Sequence, residues 1–122
     1  MAAVDKVNLE DKFATFQDLW DPKIIGQVNE FHVKLVKVKG EFVWHHHDEE
    51  DELFLVLRGR MTVQFRDSEA QLVAGELLVV PRGVDHRPVA DEEAHVLLLE
   101  RASTVNTGNV RDERTRTRLE RI

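Results

Sequence analysis

Short apolar segments separated by turn-forming residues dominate this chain and restrict it to a β-rich fold. Residues 61–65 alternate apolar and polar side chains, which is typical of a strand with one buried face. Frequent short strands of this kind predict a sandwich or a barrel rather than a parallel α/β sheet. The predicted strands cover residues 23–28, 31–38, 52–58, 61–65, 71–74, 77–80, 87–90 and 94–100.

The segment before the first strand has the only helix-like spacing in the chain. Asn8 is a candidate N-cap, apolar residues follow it at helical intervals, and Pro22 would end such a helix. An irregular arm that lays the same side chains across a sheet explains the pattern equally well. Both alternatives stay open at this point. The apolar residues concerned are Leu9, Phe13, Phe16, Leu19 and Trp20.

These boundaries predict an N-terminal arm over residues 1–22, a β-barrel over 23–101 and a C-terminal tail over 102–122. Segments 53–57, 77–80 and 96–99 are apolar on both faces, whereas a sheet with one solvated face alternates. Their outer face therefore requires a cover, which is either the N-terminal arm or a second subunit. We predict a homodimer formed sheet to sheet.

Composition excludes several classes of protein. The 122 residues suffice for one domain, and without cysteine there are no disulfides or thiolate ligands. No segment resembles a signal peptide or a membrane span, so a cytoplasmic protein without a membrane partner is expected. The net charge of −6 argues against a nucleic-acid partner. Residues 111–121 contain five arginines and three acids, which indicates a solvated end that pairs with acids elsewhere rather than an RNA-binding arm.

The segment Trp44–Glu52 contains the strongest functional signal. His45 and His47 are one residue apart, so both side chains project from the same face of an extended strand. Glu52 follows, and His86 is a fourth candidate further along the chain. Imidazole and carboxylate together suit divalent iron, manganese, nickel or zinc. By the same alternation, His46 points away from this site.

Glycines at fixed distances frame the histidine segment. Gly40, four residues, His45-x-His47, four residues, Glu52, six residues and Gly59 resemble the first conserved motif of the cupin superfamily. The usual first spacing in that motif is five residues.

A second stretch of the chain resembles the other cupin motif. Gly75, five residues, Pro81-x-Gly83, two residues and His86 fit its pattern closely, with Ala90 in place of the usual terminal asparagine. The spacer between the two motifs is short, as in small single-domain bacterial cupins. Together the motifs span residues 40–90, and the flanking strands extend the resemblance over most of the chain.

The resemblance implies an all-β, double-stranded β-helix, the cupin jelly-roll barrel, preceded by a short arm or helix. It assigns metal-ligand roles to His45, His47, Glu52 and His86. The neighbouring acids at 49–51 are more typical of a solvated loop, whereas Glu52 leads directly into a strand. Its alternation partners at 54 and 56 are expected to face inward, with the leucines at 53, 55 and 57 facing out.

Three histidines and one carboxylate leave two positions free on an octahedral metal, one for a substrate and one for water or dioxygen. We expect a small metalloenzyme that acts on a small organic molecule, by iron-dependent oxygenation or by metal-assisted isomerisation. A non-catalytic ligand- or metal-binding or sensing cupin is the alternative, and a metal-free barrel with a pocket is a third. No general acid or base is identified, because no acid or lysine is clearly placed inside the barrel. Neutral imidazoles are required, so metal should be lost below the usual titration range of histidine.

The segment Ser103–Asn109 is polar and follows the last predicted strand. Its composition indicates a loop leading into a docked or frayed tail. The alternative is a lid over one mouth of the barrel, in which Asn106 or Thr107 would contact a substrate.

Overall fold

The computed structural model describes residues 4–122, which form one short helix and seven antiparallel strands. The all-β prediction is confirmed. The elements are α1 Leu9–Phe13, β1 Lys23–Val28, β2 Phe31–Glu41, β3 Glu52–Arg58, β4 Arg60–Gln64, β5 Glu69–Val73, β6 Leu77–Val80 and β7 Arg87–Arg101.

The strands roll up around the long strand β7. The principal order is β1-β2-β7-β3-β6, while β4 pairs with both β5 and β7. The second half of β7 lies between β2 and β3, and its first half pairs with β4. One strand thus contributes to both parts of the sheet and curls it into the expected jelly-roll barrel.

The prediction of two separate strands over 87–90 and 94–100 is wrong, because β7 is continuous. Its pairing with β2 shifts register where the single residue Lys39 lies opposite residues 91–93. These three acidic residues are exposed and form a bulge rather than a turn. A polar bulge and a polar turn have similar sequence patterns, but the bulge bends the strand without ending it.

The N-terminal segment is part helix and part irregular arm. The Asn8 side chain caps α1 by accepting a hydrogen bond from the backbone N–H of Asp11, with an N···O distance of 2.9 Å. The helix ends at Phe13, well before Pro22. The following residues cross the sheet in extended and turn conformations. Within residues 4–122, no helix is both long enough and apolar enough to cross a membrane.

Alternate residues of the strands separate an inner core from an outer layer. In β3 the side chains of Glu52, Phe54 and Val56 are buried inside the barrel, and the intervening leucines are half-buried outside. This confirms the predicted inward face. Part of the outer layer is covered by the arm, where Phe13 and Phe16 pack with Leu35, Leu57 and Leu97. The inner core includes Trp20, Val36, Val38, Phe42, Phe54, Val56, Met61, Val63, Val96 and Leu98.

Candidate metal centre

Backbone pairing brings the two halves of the candidate site together. His45 and His86 form an isolated antiparallel bridge in which each backbone N–H donates to the carbonyl of the other, at 3.0 and 2.9 Å. The backbone N–H of Gly83 also donates to the carbonyl of His47, at 2.7 Å. Gly83 has φ +80°, a conformation that glycine adopts without steric cost. The turn before His86 is therefore held against the histidine segment.

The four side chains singled out in the sequence converge inside the barrel. One candidate ligand atom from each of His45, His47, Glu52 and His86 lies within 4.8 Å of the other three. All four residues are buried, with at most 4 % of their surface exposed. Four donors this close can surround one ion of the size of a divalent transition metal. The cluster could hold a metal ion.

Backbone carbonyls orient two of the imidazole rings. Nδ1 of His45 lies 2.9 Å from the carbonyl oxygen of Val43, and Nδ1 of His86 lies 2.9 Å from that of Val84. Each Nδ1 must carry the proton to donate these bonds, so in the neutral form of each ring Nε2 has the lone pair that a metal would bind. Outer hydrogen bonds of this kind orient metal-ligating histidines in general.

The third histidine supplies an independent test of the metal assignment. Nε2 of His47 is buried and has no hydrogen-bond partner among the described residues. Its closest acceptor is Oε1 of Glu52 at 3.5 Å, and that oxygen is 3.2 Å from Nε2 of His86. A buried polar nitrogen without a partner is costly, and a metal ion at the centre would satisfy it. The donor set therefore fits a divalent metal.

Burial and neighbouring charges shift the pKa values of three residues in the cluster. Burial lowers the pKa of His45 to about 4, assisted by the positive charge of a protonated His86, so this ring is neutral at physiological pH. Burial opposes ionisation of Glu52, but close contacts with Glu100, His47 and His86 outweigh it and hold its pKa well below the usual value. Burial also disfavours protonation of His86, yet Glu52 outweighs it and raises that pKa.

His46 lies outside the cluster, as the alternation predicts. Its ring is held between two carboxylates, with Nδ1 3.0 Å from Asp85 and Nε2 2.8 Å from Asp48. Hydrogen bonding to Asp85 is the main reason that the pKa of His46 is raised. The nearby acids are also used on the surface, since Asp51 pairs with Arg82 and Glu50 accepts from Ser103.

A small cavity of about 40 Å³ adjoins the cluster inside the barrel. Its polar side is formed by His45, Glu52, Glu100 and Asn106. Apolar side chains make up the remaining wall, and over residues 4–122 no lysine or arginine lines it. Those apolar side chains include Trp20, Phe42, Phe54, Met61 and Leu98. A cavity of this kind suits a small, mainly apolar molecule.

Two charged residues inside the barrel escaped the sequence analysis, which placed no acid or lysine there other than the proposed ligand Glu52. Lys34 and Glu100 are each only 1 % exposed, and Lys34 Nζ lies 2.9 Å from Glu100 Oε1. The alternation of inward and outward side chains along each strand was the signal that could have placed both residues inside the barrel. Lys34 shares parity with the inward residues 36 and 38 of β2, and Glu100 with 96 and 98 of β7.

The C-terminal segment packs against the histidine segment. The side chain of Asn109 accepts from the backbone N–H of His46, and the backbone N–H of Asn109 donates to the carbonyl of the same residue. Asn106 lines the cavity, while its amide group bonds to the backbone of residues 114 and 116. Thr107 is fully buried and bonds to Thr115, so it does not reach the cavity. The segment is docked, and the expectation of fraying does not apply to it.

The fold and the cluster together define a jelly-roll barrel with a candidate metal centre at its core. A family model described as a cupin domain matches residues 32–100, which is more than half of the chain. The chain belongs to the cupin family, and the resemblance noted in its motifs is confirmed.

Individual relatives support the same conclusion. The crystal structure of a cupin-2 domain protein from Shewanella frigidimarina is 45% identical, with a TM-score of 0.77 over 78% of this chain and 93% of that one. Protein NMB1881 from Neisseria meningitidis is 32% identical, with a TM-score of 0.74 over 80% and 100%. The uncharacterized protein YdbB of Bacillus subtilis strain 168 is 45% identical over 64 residues, 52% of this chain. The match spans only 57% of the length of that curated relative.

Proposed function

We propose that the protein is a divalent-metal-dependent enzyme that acts on a small organic molecule inside the barrel. The observation that carries the proposal is the convergence of three buried imidazoles and one carboxylate beside an apolar cavity. His45, His47, Glu52 and His86 would hold the metal. When bound, an ion with these four ligands would supply Lewis-acid or redox chemistry at its remaining coordination positions.

Between the two reaction types, the cavity wall favours oxygenation over isomerisation of a sugar or a phosphorylated compound. Within the described chain the wall has no basic side chain to bind a phosphate, and most of it is aromatic or aliphatic. A sugar carries many hydroxyl groups, each of which requires a partner when it is buried. An apolar compound with one or two polar groups matches the wall better. The metal-ligand residues orient its reactive group, and the apolar wall excludes water.

A non-catalytic binding or sensing role is the second candidate. The docked C-terminal segment favours it, because Asn106 of this segment lines the cavity and would slow the exchange of a bound molecule, which suits a retained ligand better than rapid turnover. The two functions differ in whether the bound molecule is converted.

The test begins with elemental analysis of untagged protein purified without added metal. The loaded protein is then assayed against a panel of small alcohols, phenols and carbonyl compounds, with and without oxygen. We expect oxygen-dependent turnover that is lost in His45→Ala and His86→Ala at little change in melting temperature. His46→Ala is the matched control and keeps both metal and activity, because its ring lies outside the cluster. Ligand binding without conversion would favour the binding or sensing role, and a wild type that binds no divalent metal would refute the metal-dependent enzyme.

We also propose that the protein acts as a cytoplasmic homodimer. Leu77 and Val79 of the edge strand β6 are 58 % and 49 % exposed. On the same outer face, Leu53 and Leu55 are their cross-strand partners and are only half-buried. The N-terminal arm covers a different part of this face, around Leu57 and Leu97. A second copy packed sheet to sheet would cover the remaining apolar surface.

A further inference from the structure

The buried carboxyl group of Glu100 has an unused oxygen beside the candidate metal centre. Its Oε1 accepts from Lys34, whereas its Oε2 is buried without a hydrogen-bond partner among the described residues. Such an atom costs free energy in the folded state, and it persists at functional sites where a ligand completes it. The ion pair with Lys34 holds the carboxyl group in place from the opposite side.

Strand register places this group next to a proposed metal ligand. Glu100 of β7 is the direct cross-strand partner of Glu52 of β3, so the two side chains project from neighbouring positions on the inner face. Both residues line the cavity, together with His45. A molecule bound there would lie against Glu100 as well as against the proposed metal ligands.

The rest of the wall limits what the polar part of such a molecule can be. Asn106 lines the cavity too, but its amide nitrogen and oxygen already bond to the backbone of the C-terminal segment. Glu100 is therefore the polar side chain outside the metal cluster with an oxygen to spare. A carboxyl group keeps acceptor capacity for a hydroxyl donor whether or not it is ionised, and Lys34 holds this one by its other oxygen.

We propose that Glu100, held in place by Lys34, is a substrate-binding residue that accepts a hydrogen bond from the hydroxyl group of a small, mainly apolar hydroxy compound. The substrate class rests on the proposed function, since it takes the cavity beside the metal ligands as the binding site. The contact orients the hydroxyl-bearing carbon toward the metal cluster. Glu100 is not required to bind the metal itself.

The experiment compares two isomeric probes, cyclobutanol and tetrahydrofuran, which have the same formula and nearly the same size. Cyclobutanol has a hydroxyl donor and tetrahydrofuran has none. Titrations of the zinc-loaded wild type are followed by amide chemical shifts in NMR spectra, which detect weak binding. We expect cyclobutanol to bind about tenfold more tightly, as expected for one additional buried hydrogen bond. Contacts between the probe and the Glu100 side chain in nuclear Overhauser spectra locate it without any substitution.

The double variant Lys34→Met/Glu100→Met removes the acceptor without leaving a buried charge unpaired. It should retain zinc and bind the two isomers equally well. The matched control is Thr104→Val. Like Oε2 of Glu100, the hydroxyl oxygen of Thr104 is buried without a partner among the described residues, but Thr104 does not line the cavity. This control should keep the wild-type preference for cyclobutanol.

Equal affinities in the wild type, or a preference that survives in the double variant, would overturn the assignment of Glu100. Zinc content is measured separately, so loss of the proposed metal function is distinguished from loss of the hydroxyl contact. If the wild type bound no zinc, the same titrations on the metal-free chain would still test Glu100, with the same expected preference.

Discussion

Lys34 and Glu100 form an ion pair inside the barrel, with 2.9 Å between Nζ and Oε1 and with both residues almost fully buried. Burial and the negative charge of Glu52 raise the pKa of Glu100 well above its usual value. Lys34 acts in the opposite direction and lowers the pKa of Glu100, but it does not outweigh these two effects. Such an arrangement is expensive to desolvate and is weak evidence for stability, which favours a functional reason for it.

The energetic role of this pair is testable by comparing a single and a double substitution. Lys34→Met leaves the Glu100 carboxyl group buried without its partner, so we expect a loss of about 3–5 kcal/mol in the free energy of unfolding. The variant Lys34→Met/Glu100→Met replaces both groups with apolar side chains of similar volume and should recover most of that loss. Denaturant titrations of the metal-free proteins measure both values. A double variant as unstable as the single one would show that the pair contributes to folding beyond its charges.

Metal affinity should depend on pH mainly through His86. A metal must displace the proton from this ring, and Glu52 raises its pKa despite burial, so protonation of His86 competes at a higher pH than it would for an unperturbed histidine. His45 does not compete until the pH approaches its lowered pKa of about 4. Below the pKa of His86, affinity should fall about tenfold per pH unit while one proton is displaced.

Zinc or cobalt titrations between about pH 5 and 8, the range in which histidine titrates, measure this dependence. The expected direction of this pH dependence follows from the raised pKa of His86. A raised pKa in the metal-free fold means that acid weakens metal binding earlier than an unperturbed histidine would. Affinity that stayed constant down to about pH 5 would contradict the assignment of His86 as a ligand.

Three of the four proposed ligand positions could be predicted from local pattern, whereas His86 came from the resemblance to the second cupin motif. Alternation placed His45 and His47 on one face and excluded His46, and the distance to Glu52 identified one acid among several. Strand β3 then continues with an inward Phe54 and Val56, as its sequence indicates. Each of these relations spans only a few residues, so the periodicity of a strand is sufficient to specify it.

The pair Lys34–Glu100 could not be predicted with the same ease, because its partners are 66 residues apart and charged residues are usually solvated. The C-terminal segment shows a related difficulty. It is held by backbone hydrogen bonds, such as those between Asn109 and His46 and between Ile122 and Ile24. Backbone bonds of this kind leave no side-chain periodicity, and so its position beside the barrel depends on the tertiary structure.

Gly108 lies where the backbone of the C-terminal segment closely approaches the histidine segment, next to the carbonyl group of His46. It has φ +56°, and a β-carbon at this position would collide with the carbonyl oxygen of His46 and press on the ring of His45. Gly108→Ala should therefore lower stability by more than the cost of a left-handed alanine, about 1–2 kcal/mol. Displacement of the His45 ring should also weaken metal binding.

The matched control for this prediction is Gly75→Ala. Gly75 has φ +90°, but a β-carbon there meets no atom within 4 Å, so only the backbone cost applies. Melting temperatures and zinc affinities of both variants separate the effect of backbone strain, which both share, from the effect of the β-carbon collision, which only Gly108→Ala has. Equal effects of the two substitutions on zinc affinity would show that close packing of the C-terminal segment does not position His45.

The proposed dimer can be tested at the exposed end of the edge strand. Leu77→Lys introduces a charge into the outer apolar face formed with Val79, Leu53 and Leu55, where a second copy would pack. We expect the wild type to have the mass of a dimer in light scattering at micromolar concentration, and the variant that of a monomer. The control is Val28→Lys, because Val28 is 55 % exposed, close to the 58 % of Leu77, but lies on β1 outside this face. A monomeric wild type, or a dimer that both substitutions leave intact, would show that this face is not the interface, since a buried lysine without a partner is not tolerated in an apolar contact.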